Sequence, residues 1–215
     1  AQEDAVTPND FLFPQQWDHT VIRTPDAWQV LRDINTARTF GDPAITIAVV
    51  DSGVDAAHPA LTGTVSDGTA KVSRLFDFAQ MVANNNTDAG DHGMACAVAA
   101  TGRADNNEGT AGIAGNCHLM GIRRGGDEVR YSEMYLWLAG LDADSQAAGF
   151  PAQLAKGADV ISNSIALIES VGSSITGLMS DTFDAVTDHG RGGRGTVLFF
   201  SAGNVNQDLD VSFHR

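Results

Sequence analysis

Positive charge is scarce in this 215-residue chain, where 13 lysines and arginines face 27 aspartates and glutamates for a formal balance of −14. Such a surface repels polyanions, which excludes nucleic acid and anionic membrane as partners. Only Lys71 and Lys156 are lysines, and aspartate far outnumbers glutamate. That skew keeps a protein soluble; it fits a saline or extracellular setting and equally a plain acidic surface. Cysteine is nearly absent. Cys96 and Cys117 are too few for a disulfide framework or a zinc site, leaving either one bridge or two buried free thiols. No apolar run approaches the ~18 residues of a membrane span. The opening residues, AQEDAV, lack the charged and apolar regions of a signal peptide, so none is expected here. They suit the mature start of a secreted chain and equally an artificially chosen one.

What is present is an ordinary globular composition, 43% hydrophobic, with no internal repeat and no low-complexity linker. A single domain over residues 1–215 is the expectation. Residues 1–20 are polar and hold Pro8 and Pro14, which predicts an extended arm. Thr24-Pro25-Asp26 reads as the capped start of a short amphipathic helix. Apart from Thr46, Ile45 to Val50 is apolar and, but for Ala48, β-branched, without alternation, the pattern of a strand buried on both faces of a parallel sheet. Further strands are expected at Val72 to Phe78, His118 to Ile122, Asp159 to Ile165 and Thr196 to Phe200. Helices are expected at His92 to Thr101, Tyr131 to Ala148 and Ser173 to His189. Alternation of this kind predicts an α/β domain with a mostly parallel sheet and right-handed crossovers.

The carboxyl ends of such strands are where chemistry is done. Asp51 ends the first strand, His92 opens the helix after an aspartate-rich loop, and Asn204 follows the last strand. An aspartate on one imidazole nitrogen fixes the tautomer that lets the other nitrogen take a proton. A side-chain amide aimed at a developing oxyanion stabilises the transition state by about 3–4 kcal/mol. Taken singly, Asp51 reads equally well as a backbone cap and His92 as a surface residue.

VVDSGVDAAHPAL, DHGMACAVAATG and FFSAGN, in that order, resemble the aspartate, histidine and oxyanion-asparagine motifs of the subtilisin-like serine proteases. GTAGIAGNCHLMGIR, ADVISNSIA and the N-terminal TPNDFLFPQQW extend the likeness over nearly the whole chain. The resemblance implies a three-layer subtilisin-like α/β fold, with a mostly parallel central sheet flanked by helices and its C-terminal part missing. It implies a secreted protein that acts as a monomer on peptide or protein substrates without a catalytic cofactor. Asp51 would orient His92, His92 would act as general base and then acid, and Asn204 would donate to the oxyanion. Ser164, Ile165 and Ala166 fall at the strand that pairs with an extended peptide. Ser201, Ala202 and Gly203 would line the pocket for the residue before the scissile bond, and Gly125 and Gly126 would face the substrate from the opposite side.

Departures from the family pattern are specific. Met94 replaces a usual threonine, Val98 a common glycine, and Ala166-Leu167 a glycine at the substrate strand, which predicts a restricted pocket. The Gly-Thr-Ser-Met-Ala stretch that carries the family's nucleophile does not occur in the 215 residues, so a serine beyond residue 215 is expected. The alternative is an inactive domain that holds peptides without cutting them. In one branch of the family, Ca²⁺ is held by residues matching Asp10, Asn106 and Glu108, with the carbonyls of Arg103 and Thr110. Ala60 stands where that branch has another aspartate, so a structural calcium site here would be weakened. A metallohydrolase built on Asp51, His58, Asp91 and His92 lacks a spaced ligand motif, and the glycines from Gly109 to Gly115 do not form a nucleotide loop.

Overall fold

The apolar run that begins at Ile45 becomes the middle of the molecule. A computed structural model describes residues 5–83, 91–145, 147–165 and 175–204. In chain order its elements are α1 (Trp17–Val21), α2 (Thr24–Ile34), β1 (Thr46–Asp51), β2 (Val72–Asp77), β3 (Val82–Ala83), α3 (His92–Thr101), β4 (His118–Arg123), α4 (Glu128–Leu138), β5 (Val160–Asn163), α5 (Gly177–Gly193) and β6 (Val197–Phe200). The six strands lie in the order β3-β2-β4-β1-β5-β6. Every pairing is parallel except that of β2 with β3.

With β4 on one side and β5 on the other, β1 has partners along both edges. Its side chains alternate between two cores. Ala48 and Val50 pack with Met134, Trp137, Leu138 and Val186 beneath α4 and α5. Val49 packs with Val54, Leu61, Ala97 and Leu119 on the side of α3. Each fully buried aliphatic side chain contributes about 1.5–3 kcal/mol relative to exposure, which is why the strand shows no polar alternation. The result is the expected three-layer α/β arrangement, and it leaves the carboxyl ends of β1, β5 and β6 at one edge.

Several local expectations change. The N-terminal arm is not wholly extended: a 3-10 turn at Phe13–Gln15 leads into α1, which buries His19. Phe13 and His19 stack near Trp28 with ring centroids 5.8 and 5.3 Å from it, and the Trp28 indole donates to the Ile113 carbonyl at 2.8 Å. That aromatic packing orders a stretch whose composition reads as loop. Thr24 is the first helical residue of α2, and the cap position belongs to Arg23 in the left-handed region. The helix expected from Tyr131 to Ala148 starts earlier, where Asp127 accepts from the Arg130 amide, and stops at Leu138. Gly140, at φ 76°, turns the chain there with its α-carbon side packed on Gly157. The start expected at Ser173 for the next helix lies outside the described residues, and α5 loses helical geometry at Gly190.

Cys96 and Cys117 are free thiols. Cys96 sits beside the carboxyl end of β1, whereas Cys117 precedes the amino end of β4. A six-residue strand separates those levels by roughly 17–20 Å, well beyond the ~7 Å limit for a bridge.

Lys71 is fully buried at the entrance to β2 and donates to the carbonyls of Gly115 and Cys117. Burial pushes its pKa down to about 8. A neutral amine keeps both donated hydrogens, so the bonds survive deprotonation. Between about pH 8 and the ordinary lysine value the unfolded chain binds more protons than the folded one, so this group adds stability as pH rises through that window. Replacing Lys71 with Met is expected to cost about 1–3 kcal/mol at neutral pH by orphaning the two carbonyls. The gap to the wild type should widen toward pH 10, as read from urea midpoints.

Candidate active site

Asp51 occupies the last position of β1, and its carbonyl accepts from the Arg124 amide at 2.9 Å, closing the ladder. Its side chain is 2% exposed. Oδ1 accepts from the Ser52 amide at 2.7 Å and lies 2.7 Å from Nδ1 of His92. Oδ2 is buried and has no hydrogen-bond partner. His92 is the first residue of α3, and 60% of its side chain is exposed. One imidazole nitrogen is thus held by a buried carboxylate while most of the ring faces solvent. This leaves Nε2 free to exchange a proton with a bound molecule.

The approach of α3 to β1 is set by backbone. A Cβ on Gly93 would stand 2.2 Å from the Gly53 carbonyl oxygen and 3.0 Å from its nitrogen. The Gly93 amide donates to the Ser52 hydroxyl at 3.0 Å, so Ser52 supplies the first turn of α3 with an acceptor from the neighbouring strand end. Asp91, just before the helix, takes the left-handed conformation at φ 59°. One turn beyond His92, Cys96 places its sulfur 3.9 Å from Nδ1. Its thiol also faces the Ser164 hydroxyl and the Asp51 carboxylate, and burial pushes its pKa up. Neither Ser52 nor Cys96 stands out in the sequence reading, although the i, i+4 spacing of His92 and Cys96 puts both on one helix face.

The other expected site residues come from β5 and β6. Ser164 is half-buried beside Cys96, which joins the substrate-strand segment to the Asp51–His92 pair. Ile165 turns its side chain into the main core, so only its backbone is left for a ligand. Ala166 lies outside the described residues. Ser201, Ala202 and Gly203 are exposed beyond β6, with Ser201 tied to the Asn163 carbonyl by its amide at 2.9 Å. Asn204 follows them, exposed, at the same carboxyl edge of the sheet as Asp51. Asn163, which sequence reasoning passed over, clamps this region: it accepts from the Tyr135 hydroxyl at 2.8 Å and donates to the Phe199 carbonyl at 2.9 Å. Gly125 packs against Ala79 and Gly126 against Arg130.

A second cluster joins the N-terminal arm to the loop after α3. Asp10 is 2% exposed; its Oδ2 accepts from the Asp105 amide at 2.7 Å and its Oδ1 has no partner. Burial pushes the Asp10 carboxyl above its ordinary pKa against the pull of backbone donors. The Asn106 side-chain nitrogen is also buried without a partner. The Asn106 backbone amide is among the donors to the Asp10 carboxylate, whereas Glu108 is exposed and meets the cluster through its amide, which donates to Asn106. Asn9, bonded to Asp105 and Asn107, is a further clasp. The metallohydrolase grouping does not assemble: among the described residues, the set of three close donors is Asp51, His92 and Cys96, without His58 or Asp91.

The family model of the subtilases, the Peptidase S8 family, matches residues 42–214. The chain belongs to the subtilase family. Among its relatives, subtilisin-like protease 2 of Plasmodium falciparum is 25% identical over 207 residues, which is 95% of this chain and 14% of that protein. The halolysin-like extracellular serine protease Nep of Natrialba magadii is 32% identical over 130 residues, 58% of this chain and 21% of that protein. In fold, a protease from Pseudoalteromonas arctica superposes with a TM-score of 0.63 at 21% identity, over 95% of this chain and 61% of that one. This subtilase chain thus spans less than two thirds of each relative. The contact of Gly93 with Gly53 predicts that Gly93→Ala costs about 1–3 kcal/mol by overpacking. The same substitution should also weaken the downfield proton resonance of the His92 Nδ1–H bond to Asp51, seen by NMR.

Proposed function

We propose that the protein carrying this chain is a serine endopeptidase, and the observation that supports it most is the 2.7 Å bond between buried Asp51 and exposed His92. Asp51 holds the Nδ1–H tautomer and stabilises the imidazolium that forms. Nε2 of His92 takes the proton of a serine hydroxyl as that oxygen attacks a peptide carbonyl, then returns it to the leaving amine. The Asn204 amide donates to the oxyanion. An extended peptide or protein substrate lies along the backbone from Ser164 through Ala166, with its side chain before the scissile bond against Ser201, Ala202 and Gly203. Backbone pairing of this kind accepts many sequences.

The serine lies, on this reading, in a further segment beyond residue 215. Support comes from β6, which lies at the edge of the sheet among the described residues and on which Val197, Phe199 and Phe200 are 47%, 59% and 38% exposed. Apolar edges invite pairing, and more chain added alongside β6 would complete one catalytic domain. The protein acts as a monomer outside the cell. In favour of that location are the acidic surface and the extracellular halolysin-like relative. In addition, no helix among the described residues is long and apolar enough to cross a membrane.

A serine-directed fluorophosphonate should label the complete protein and leave the 215-residue chain unlabelled. In the complete protein His92→Ala should lower kcat/KM by about 1000-fold or more, and Asn204→Leu should lower kcat by about 100- to 1000-fold. Full activity of His92→Ala would remove the pair from the mechanism, and labelling of the 215-residue chain would relocate the nucleophile.

We propose further that Asp10 and Asn106 hold a structural calcium ion. Its oxygen preference suits the unpartnered Asp10 Oδ1, and the Asn106 carboxamide oxygen, which accepts from the Glu108 amide, keeps a second lone pair for the ion. The ion supplies charge that offsets the desolvated carboxylate and pins the arm to the loop. Chelation should then lower the melting midpoint by several degrees, from about 2.7 kcal/mol of binding stabilisation at a hundredfold excess over Kd. Asp10→Ala should abolish that response. An unchanged midpoint on chelation would count against the ion.

A further inference from the structure

β1 ends between β4 and β5, so a peptide held at the Asp51–His92 pair has a flank on either side. The β5 flank is the segment of Ser164 and Ile165 that follows the strand. The β4 flank starts at Arg124, whose amide donates to the Asp51 carbonyl at 2.9 Å and so anchors the backbone one residue beyond the Asp51–Arg123 register pair. Gly125 and Gly126 come next and carry no side chain. On this flank, recognition by a side chain therefore falls to Arg124. That side chain is exposed, and its guanidinium donates to the Tyr131 hydroxyl at 3.1 Å. Tyr131 is itself held in place, because its ring packs against the core beneath α4 and α5.

We infer that Arg124 selects extended peptides with an aspartate or glutamate side chain two to four residues before the scissile bond, on the flank opposite Ser164. The peptide path is that of the proposed function, on which this inference rests. Neighbouring charges have other partners: Arg123 pairs with buried Asp77 at 2.9 Å and Arg130 with Glu133 at 3.6 Å. Asp127 accepts from the Arg130 amide, and Glu128 is bonded to Thr176. Among the described residues Arg124 has no carboxylate partner, and most of its donor fork stays open although acids outnumber bases by 27 to 13 in the chain. A planar guanidinium takes a carboxylate through two parallel hydrogen bonds. Held beforehand by Tyr131, it loses less freedom on pairing. The overall charge of −14 repels acidic ligands at long range, but salt at physiological strength screens that field beyond about 8 Å and leaves the contact pair.

The test uses the complete protein and pairs of fluorescent peptides that differ only by Glu against Gln, placed in turn at each of those positions. At one position kcat/KM for the Glu peptide should exceed that of its Gln twin by about 5- to 20-fold. Arg124→Gln should abolish the preference, Arg124→Glu should turn it against Glu, and Tyr131→Phe should lower it part-way. Arg194→Gln, at an exposed arginine that ends α5, should leave the ratio as it is. Equal rates for every pair, or a Glu preference that survives Arg124→Gln, overturn the assignment while hydrolysis itself upholds the peptidase reading. Absence of hydrolysis overturns that reading instead. The same peptides then decide on Arg124 through their Kd values, read by fluorescence polarisation: tighter Glu binding that is lost in Arg124→Gln supports it, and equal or undetectable binding overturns it.

Discussion

The first turn of α3 lies so close to the end of β1 that no side chain fits between them. Gly93 supplies the gap, with its absent Cβ only 2.2 Å from the Gly53 carbonyl oxygen. Ser52 adds an acceptor for the Gly93 amide, so the strand end and the helix start are fastened by backbone and one hydroxyl. This closeness lets the short side chain of Asp51 reach His92 at 2.7 Å without leaving the protein interior. Had the helix started farther out, the carboxylate would be solvated and free to rotate. It would then no longer fix which imidazole nitrogen carries the proton.

The sheet behind that contact is equally constrained. β1 can be buried on both faces only because α3 covers one core and α4 with α5 the other. Both ladder partners of β1 run parallel to it. Parallel pairing forces each connection to cross back over the sheet, and it gathers the carboxyl ends of β1, β2, β4, β5 and β6 at one edge. Residues as far apart in sequence as Asp51, Ser164 and Asn204 reach that edge for this reason.

Much of this was legible in the sequence because it follows from composition over several residues. The apolar run Ile47 to Val50 of β1 and the alanine-rich pattern of α3 translate directly into a buried strand and a closely packed helix. The arm before Thr24 did not read correctly, because its order comes from Phe13, His19 and Trp28 meeting one another and Ile113, contacts between distant parts of the chain. The end of α4 was misplaced for a similar reason: apolar spacing continues through Leu141, but Gly140 packs against Gly157 and turns the chain away. At the site, Asp51 and His92 were legible as types at recognisable positions. Cys96 was not, since a lone cysteine in an alanine-rich helix looks like packing until its neighbours across the strand are known.

The energetics of the polar interior separate framework from function. Asn163 is a buried polar group whose bonds join neighbouring segments, and it costs the fold little because its hydrogen bonds are made; Lys71 also makes its bonds, at a desolvation cost that lowers its pKa to about 8. Asp51 and Asp10 differ, since each keeps one carboxylate oxygen buried without a partner. An unsatisfied charged acceptor costs more than a neutral one, and no packing gain in either place requires an acid rather than an apolar residue. Proteins depart from local consistency chiefly where something other than stability is at stake. On that argument the two orphaned oxygens mark the same two places as the proposed chemistry: one beside the base at the end of β1, the other where the arm meets the loop after α3.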